Sequence, residues 1–157
     1  LDNLMKQENK MQYNSSHFLL ETIVPKNELI VSRTNLKGII TYANDTFAQI
    51  SGYSTDELIG KPHNIVRHPD MPKAIFETLW SDLKDYGKWS GYVKNMRKDE
   101  GYYWVYAEIS GVYKQGKLIE YKSIRTPISF EKKLEYQIKY DELRSKTNDK
   151  IRKVIYE

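Results

Sequence analysis

Apolar residues recur along this chain at two spacings, one of about two and one of about three to four, and each change of spacing marks a change of element. Phe18, Leu19, Ile23 and Val24 lie in one helical stripe ended by Pro25, which predicts an N-terminal cap helix within residues 1–28. "ELIVSRTNLKGIITYA" follows as two short β-rich runs separated by Asn35 to Gly38, the signature of a hairpin. Asn44 or Asp45 then caps a short helix carrying Phe47 and Ile50 and closed by Gly52, and Ser54 with Glu57 forms a capping box for another.

The next segment, "KPHNIVRHPDMP" at 61–72, is too rich in proline for a long helix. Asp70 with Pro72 is expected to open the helix that follows, where Ile75, Phe76, Leu79, Trp80 and Leu83 recur at helical spacing until Gly87. Three β-patterned runs come next, "KWSGYVKNMRK", "GYYWVYAEISGVYK" and "GKLIEYKSIRTPI", with turns at Asp99–Gly101 and Gln115–Gly116. They predict an antiparallel meander. From Ser129 the chain is charged and free of Gly and Pro, with Tyr136, Tyr140 and Leu143 in one stripe beside Leu134 and Ile138, as a long exit helix requires. The order predicts an α+β domain over 29–128, a five-stranded antiparallel sheet with short helices on one face, flanked by helices in 1–28 and 129–157.

Composition narrows the function. The 157 residues carry 25 Lys+Arg against 21 Asp+Glu, a net charge of +4 with both signs scattered, which does not suggest a nucleic-acid binder. A hydrophobic fraction of 39% and an aromatic fraction of 13% support a packed core. No apolar run approaches the roughly 20 residues of a membrane helix, so the expectation is a cytoplasmic protein. Without cysteine there is no disulfide, thiolate nucleophile or iron–sulfur cluster.

Strand periodicity puts Trp89, Gly91, Val93 and Asn95 on the inner face of the first meander strand and Tyr103, Val105, Ala107, Ile109 and Gly111 on that of the second. In the third, Ile119, Tyr121, Ser123 and Arg125 alternate with Glu120, Lys122 and Ile124, and the inner set is ambiguous. A buried amide needs partners, so Asn95 either serves a ligand or bonds backbone or water near its strand end. Gly91 and Gly111 leave room for a flat ligand, or mark a bulge or twist. Trp89 either stacks on a planar group or fills the core. His63, His68 and Asp70 lack the spacing of a metal site. Arg67 suits a phosphate at a helix N-terminus, or alternatively pairs with Asp70 to brace the loop. No nucleophile with a base, inner carboxylate pair or Gly-rich phosphate loop points to an enzyme.

"YANDTFAQISGYSTDELIGKPHNIVRHPDMP" followed by "WSGYVKNMRKDEGYYWVYAEISGVYKQGKLIEYKSIRT" resembles a PAS domain, more narrowly the flavin-binding PAS module of bacterial aerotaxis receptors, across about residues 29–128. The resemblance implies noncovalent FAD whose redox state reports respiratory electron flow. It places Asn44, His63, Asn64, Arg67, His68, Asp70, Trp89, Asn95 and Tyr103 around the flavin cleft. Asn95 is then expected at the polar edge of the isoalloxazine and Trp89 on or beside the ring. Arg67 and His68 are expected on the ribityl-pyrophosphate side, with Asp70 fixing their geometry.

A membrane-bound methyl-accepting chemotaxis-type receptor in trans is the implied partner, with homodimerisation through the flanking helices. Rival expectations are a haem-binding PAS sensor using His63 or His68, and a cofactor-free PAS interaction module. A light sensor of the LOV type needs a cysteine that this chain lacks.

Overall fold

The computed structural model describes residues 20–147. Strands β1 (Ile30–Thr34), β2 (Ile40–Ala43), β3 (Lys88–Met96), β4 (Tyr102–Lys114) and β5 (Lys117–Thr126) form one antiparallel sheet in the order β2-β1-β5-β4-β3. The predicted hairpin and meander are both present. Gln115 and Gly116 take positive φ values of 53° and 77°, the pair of left-handed residues that a two-residue turn between right-twisted strands requires.

Helix α1 (Asp45–Ser51) is capped by Asn44 and closed at Gly52, and α2 (Thr55–Leu58) carries the full Ser54–Glu57 capping box. A 3-10 turn over His63–Val66 precedes the longer α3 (Lys73–Tyr86), which buries Leu79 and Leu83 and ends at Gly87. Asp70 does not open α3. Pro72 holds the cap position without a side-chain bond, and the Asp70 carboxylate is drawn away by Lys94 and Arg144. Two cations outcompete the solvated amides of a helix start.

The helices over β1, β3 and β4 leave a core of Ile30, Ile40, Phe47, Leu58, Val66, Tyr103 and Val105, all buried. The other side of the sheet receives the exit helix α4 (Phe130–Thr147). Tyr136 packs on Tyr92 with ring centroids 4.2 Å apart, and Tyr140 stacks on Trp104 at 6.2 Å. Leu134 and Ile138 are exposed on the far side of that helix.

The expected cap helix is not formed in residues 20–28. Phe18 and Leu19 lie outside the described residues, but Ile23 and Val24 are not helical. Pairing of β5 with β4 starts only at Tyr106, and the free backbone of Tyr102 on that side bonds this segment instead. Thr22 N–H donates to the Tyr102 carbonyl at 2.8 Å and Tyr102 N–H to that of Leu20 at 2.9 Å. Open sheet bonds outweigh a weak helical stripe. Among the described residues no helix is long and apolar enough to cross a membrane.

Candidate functional site

The segment 61–72 spans the gap between the β1–β2 hairpin and β3, and backbone bonds fix it at both ends. His63 N–H donates to the Gly38 carbonyl at 2.9 Å, Ile39 bridges Pro62, and Arg67 bridges Asn95 across an isolated antiparallel pair. Below it lies a cleft of about 260 Å³ between the sheet and α3. That volume lies just below the usual range of small-molecule sites. Its apolar walls include Val66, Leu79, Leu83, Val93 and Ile109.

Cross-strand register builds the floor. Ser32, Ser123, Ile109 and Trp89 are successive neighbours across β1, β5, β4 and β3, and Ile30, Arg125, Ala107 and Gly91 form the adjacent row. Ser123 and Arg125 are buried, so the ambiguous face of β5 resolves with Tyr121, Ser123 and Arg125 toward the cleft. Gly91 is accounted for by Trp89, since a Cβ there would sit 2.6 Å from the folded-back indole. Gly111 makes room for Leu118 and Tyr113 in the same way. Neither glycine is reserved for a ligand.

Arg125 dominates the electrostatics. It is 2% exposed, its guanidinium lies 4.4 Å from the centre of the Phe47 ring, and its Nη1 reaches Ser123 Oγ at 2.9 Å and His63 Nε2 at 3.1 Å. No carboxylate pairs with it among the described residues, and its Nε and Nη2 are buried without a hydrogen-bond partner. Burial therefore pulls its pKa down to about 10, with only the Tyr103 phenol opposing. His63, stacked on Phe47 at 5.6 Å and bonded to Ser32 Oγ, is held down to about 3 by burial and the Arg125 charge. Its neutral ring can therefore accept from Arg125. Tyr103 is pushed up to about 12 by burial.

Five of the nine residues expected around the cleft line it: His63, Asn64, Arg67, Trp89 and Asn95. Four are brought elsewhere. Asn44 spends its side chain on the backbone, accepting from Val31 and Phe47 N–H at 3.1 and 3.0 Å and donating to the Leu29 carbonyl at 2.8 Å. Tyr103 is fully buried opposite Asn95, behind the cleft wall. His68, also fully buried, accepts from Asp70 N–H at Nδ1 and sets its ring edge against Tyr102. Asp70 pairs with Lys94 and Arg144 outside the cleft. Arg67 stacks on Phe76 at 3.8 Å rather than on Asp70.

Arg125, Ser32 and Ser123 also line the cleft, with no local motif to mark them as site residues. Their signal was the register itself, because Arg125 stands between Ile30 and Ala107, both buried. The described residues contain no group of three or more His, Asp or Glu placed to hold a metal.

Comparison with known proteins agrees with this architecture. The chain is 54% identical over 97 residues to the aerotaxis receptor of Escherichia coli (strain K12), covering 62% of this chain and 19% of that protein. It is 30% identical over 122 residues to the nitrogen fixation regulatory protein of Klebsiella pneumoniae, covering 77% of this chain and 25% of the relative. The chain thus spans a quarter or less of these relatives. Among solved structures, the PAS domain of a protein from Colwellia psychrerythraea superposes with a TM-score of 0.59 at 23% identity, over 80% of this chain and 97% of that one. The dark structure of the blue-light photoreceptor Aureochrome1 LOV gives 0.60 at 18%, over 76% and 84%. Residues 40–125 match the PAS fold family. The chain belongs to the PAS-fold family, and its PAS region is of the aerotaxis-receptor type.

Proposed function

We propose that this protein is a cytoplasmic redox sensor of energy taxis that holds FAD noncovalently in the cleft. It would pass the cofactor's state to a membrane-bound chemotaxis-type receptor in trans. The observation that carries the reading is Arg125, a buried guanidinium with two nitrogens lacking hydrogen-bond partners and no carboxylate beside it. A charge left so in a cleft is costly, and an anionic or strongly accepting ligand relieves it. The similarity to the aerotaxis receptor supports flavin as that ligand. So does the likeness of fold to a domain studied with a flavin analogue.

The donor set fits. Asn95 offers an amide that both donates and accepts, Trp89 an apolar wall, and Ser32, Ser123 and neutral His63 a polar floor beside Arg125. These residues would hold the isoalloxazine, while Arg67 and Asn64 would serve the chain leading to the phosphates. Bound FAD supplies the redox chemistry, since reduction adds electron density near the polar edge of the ring. A positive side chain already desolvated at that edge would feel the change at short range. Output through α4 is supported by its position on the opposite face of the sheet and by the exposed series Phe130, Leu134 and Ile138. That series offers a surface to a second copy or to the receptor.

Thermal unfolding with and without FAD tests the reading. A ligand at about 100 times its dissociation constant adds about 2.7 kcal/mol to stability, so a rise of several degrees is expected. An unchanged melting temperature at saturating FAD would leave a cofactor-free interaction module as the better account.

A further inference from the structure

The proposed function assigns no role to Asp70, Lys94 or Arg144, yet these residues form a buried cluster of charge. Asp70 accepts from Lys94 Nζ on one oxygen at 2.9 Å and from Arg144 Nη1 on the other at 3.1 Å. Lys94 and Arg144 are 8% and 7% exposed. Lys94 also donates to Gln137 at 3.0 Å, and Arg144 also pairs with Asp141. Burial works to raise the Asp70 carboxyl, but Coulombic attraction from Lys94 and Arg144, with the Lys94 hydrogen bond, outweighs it and keeps the group below its ordinary range. Gln137, Asp141 and Arg144 all belong to α4, whose C-terminal half buries Tyr140 and Arg144 but leaves Ile138 outside. Polar bonds to Asp70 and to β3 therefore join the stack of Tyr140 on Trp104 in attaching that half.

Placement gives the cluster a second meaning. Lys94 directly precedes Asn95, and Asp70 lies three residues beyond Arg67. Arg67 and Asn95 are bridged to each other and both line the cleft. The same two backbone segments thus present one pair of side chains to the cleft and another pair to the exit helix. A shift of either segment at the cleft displaces an anchor of α4. Resting on the flavin reading above, we infer that Asp70 is the latch coupling the cleft to α4, with Arg144 and Lys94 as its positioning partners. Occupied, the cleft fixes the loop and β3 and holds the C-terminal half of α4 down. Because coupling is reciprocal, releasing that half weakens the cleft's ligand.

The test uses the full chain with FAD, read by fluorescence titration and by amide hydrogen exchange across 137–147. In the unaltered protein FAD should slow exchange there about tenfold, and Arg144→Gln should reduce that slowing to about twofold or less while weakening FAD about tenfold. Arg144→Lys should restore at least half of both effects on a logarithmic scale. Lys139→Gln breaks a surface pair with Glu135 on the same helix and should change neither. FAD binding of ordinary tightness with exchange in α4 indifferent to it would overturn the latch and leave the flavin reading standing. Equal losses in Arg144→Gln and Lys139→Gln would reduce the cluster to plain helix stability and also overturn it. Failure of the unaltered chain to bind FAD would remove both readings together.

Discussion

Replacing Arg125 by Met should separate stability from binding. Holding the guanidinium charged at neutral pH, with its pKa drawn from 12.5 to about 10, costs the fold about 3 kcal/mol. The sign follows from the direction. A cation with a lowered pKa carries its full penalty below about pH 10 and loses it as pH rises through 10 to 12.5. Against removal of this net penalty stand the partners that Met would leave unpaired, His63 Nε2 and Ser123 Oγ, roughly 1.5 kcal/mol each. The two sides nearly cancel, and Met keeps much of the contact with Phe47. Unfolding of the ligand-free protein in urea should therefore change by no more than about 1 kcal/mol, small for a fully buried side chain. FAD affinity, measured by quenching of flavin fluorescence, should fall about thirtyfold, the equivalent of losing about 2 kcal/mol of charged hydrogen bonding. A loss of 3 kcal/mol or more in the ligand-free protein (roughly the scale of a core truncation) with unaltered affinity would make Arg125 a core residue and refute the reasoning.

His63 predicts acid sensitivity. Its pKa is lowered from 6.5 to about 3, so its contribution is complete above pH 6.5 and is lost as pH falls toward 3. Stability should then drop by up to about 1.4 kcal/mol per pH unit between pH 6 and 4.5, and urea titrations of His63→Asn should lack that slope. Gly91→Ala should displace the Trp89 indole, cost about 1–3 kcal/mol by thermal unfolding and weaken FAD, because the added methyl has no free space. Asn44→Ala should cost about 2 kcal/mol or more, through lost capping and two further backbone bonds, without altering FAD affinity at full folding.

Much of the fold was legible because its signals are local. Asn44, Ser54 with Glu57, Gly52, Gly87 and Gln115–Gly116 each mark an element end by chemistry within a few residues, and all do so in the structure. The alternation of β3 and β4 likewise gave the faces correctly, as buried Trp89, Asn95, Tyr103 and Val105 show. What escaped was decided between distant segments. Ile23 and Val24 belong to a helical stripe in the sequence, but the strand edge beside Tyr102 offers residues 20–22 hydrogen bonds that no local pattern announces. Asp70 has a capping residue's identity, yet Lys94 and Arg144 lie 24 and 74 residues away. The face of Arg125 is ambiguous in the alternation of β5 until the register sets it between Ile30 and Ala107. Gly91 looked like space for a ligand because the rotamer of its neighbour two residues back cannot be read from sequence.

A flavin site in the cleft beside Arg125 has an optical signature. The visible absorption spectrum of the chain as purified, with mass identification of what denaturation releases, addresses it most directly. Two broad bands in the near ultraviolet and blue and release of FAD are expected, or the appearance of the bands once FAD is added. A colourless protein that stays so after incubation with FAD, or a single intense Soret band, would contradict it.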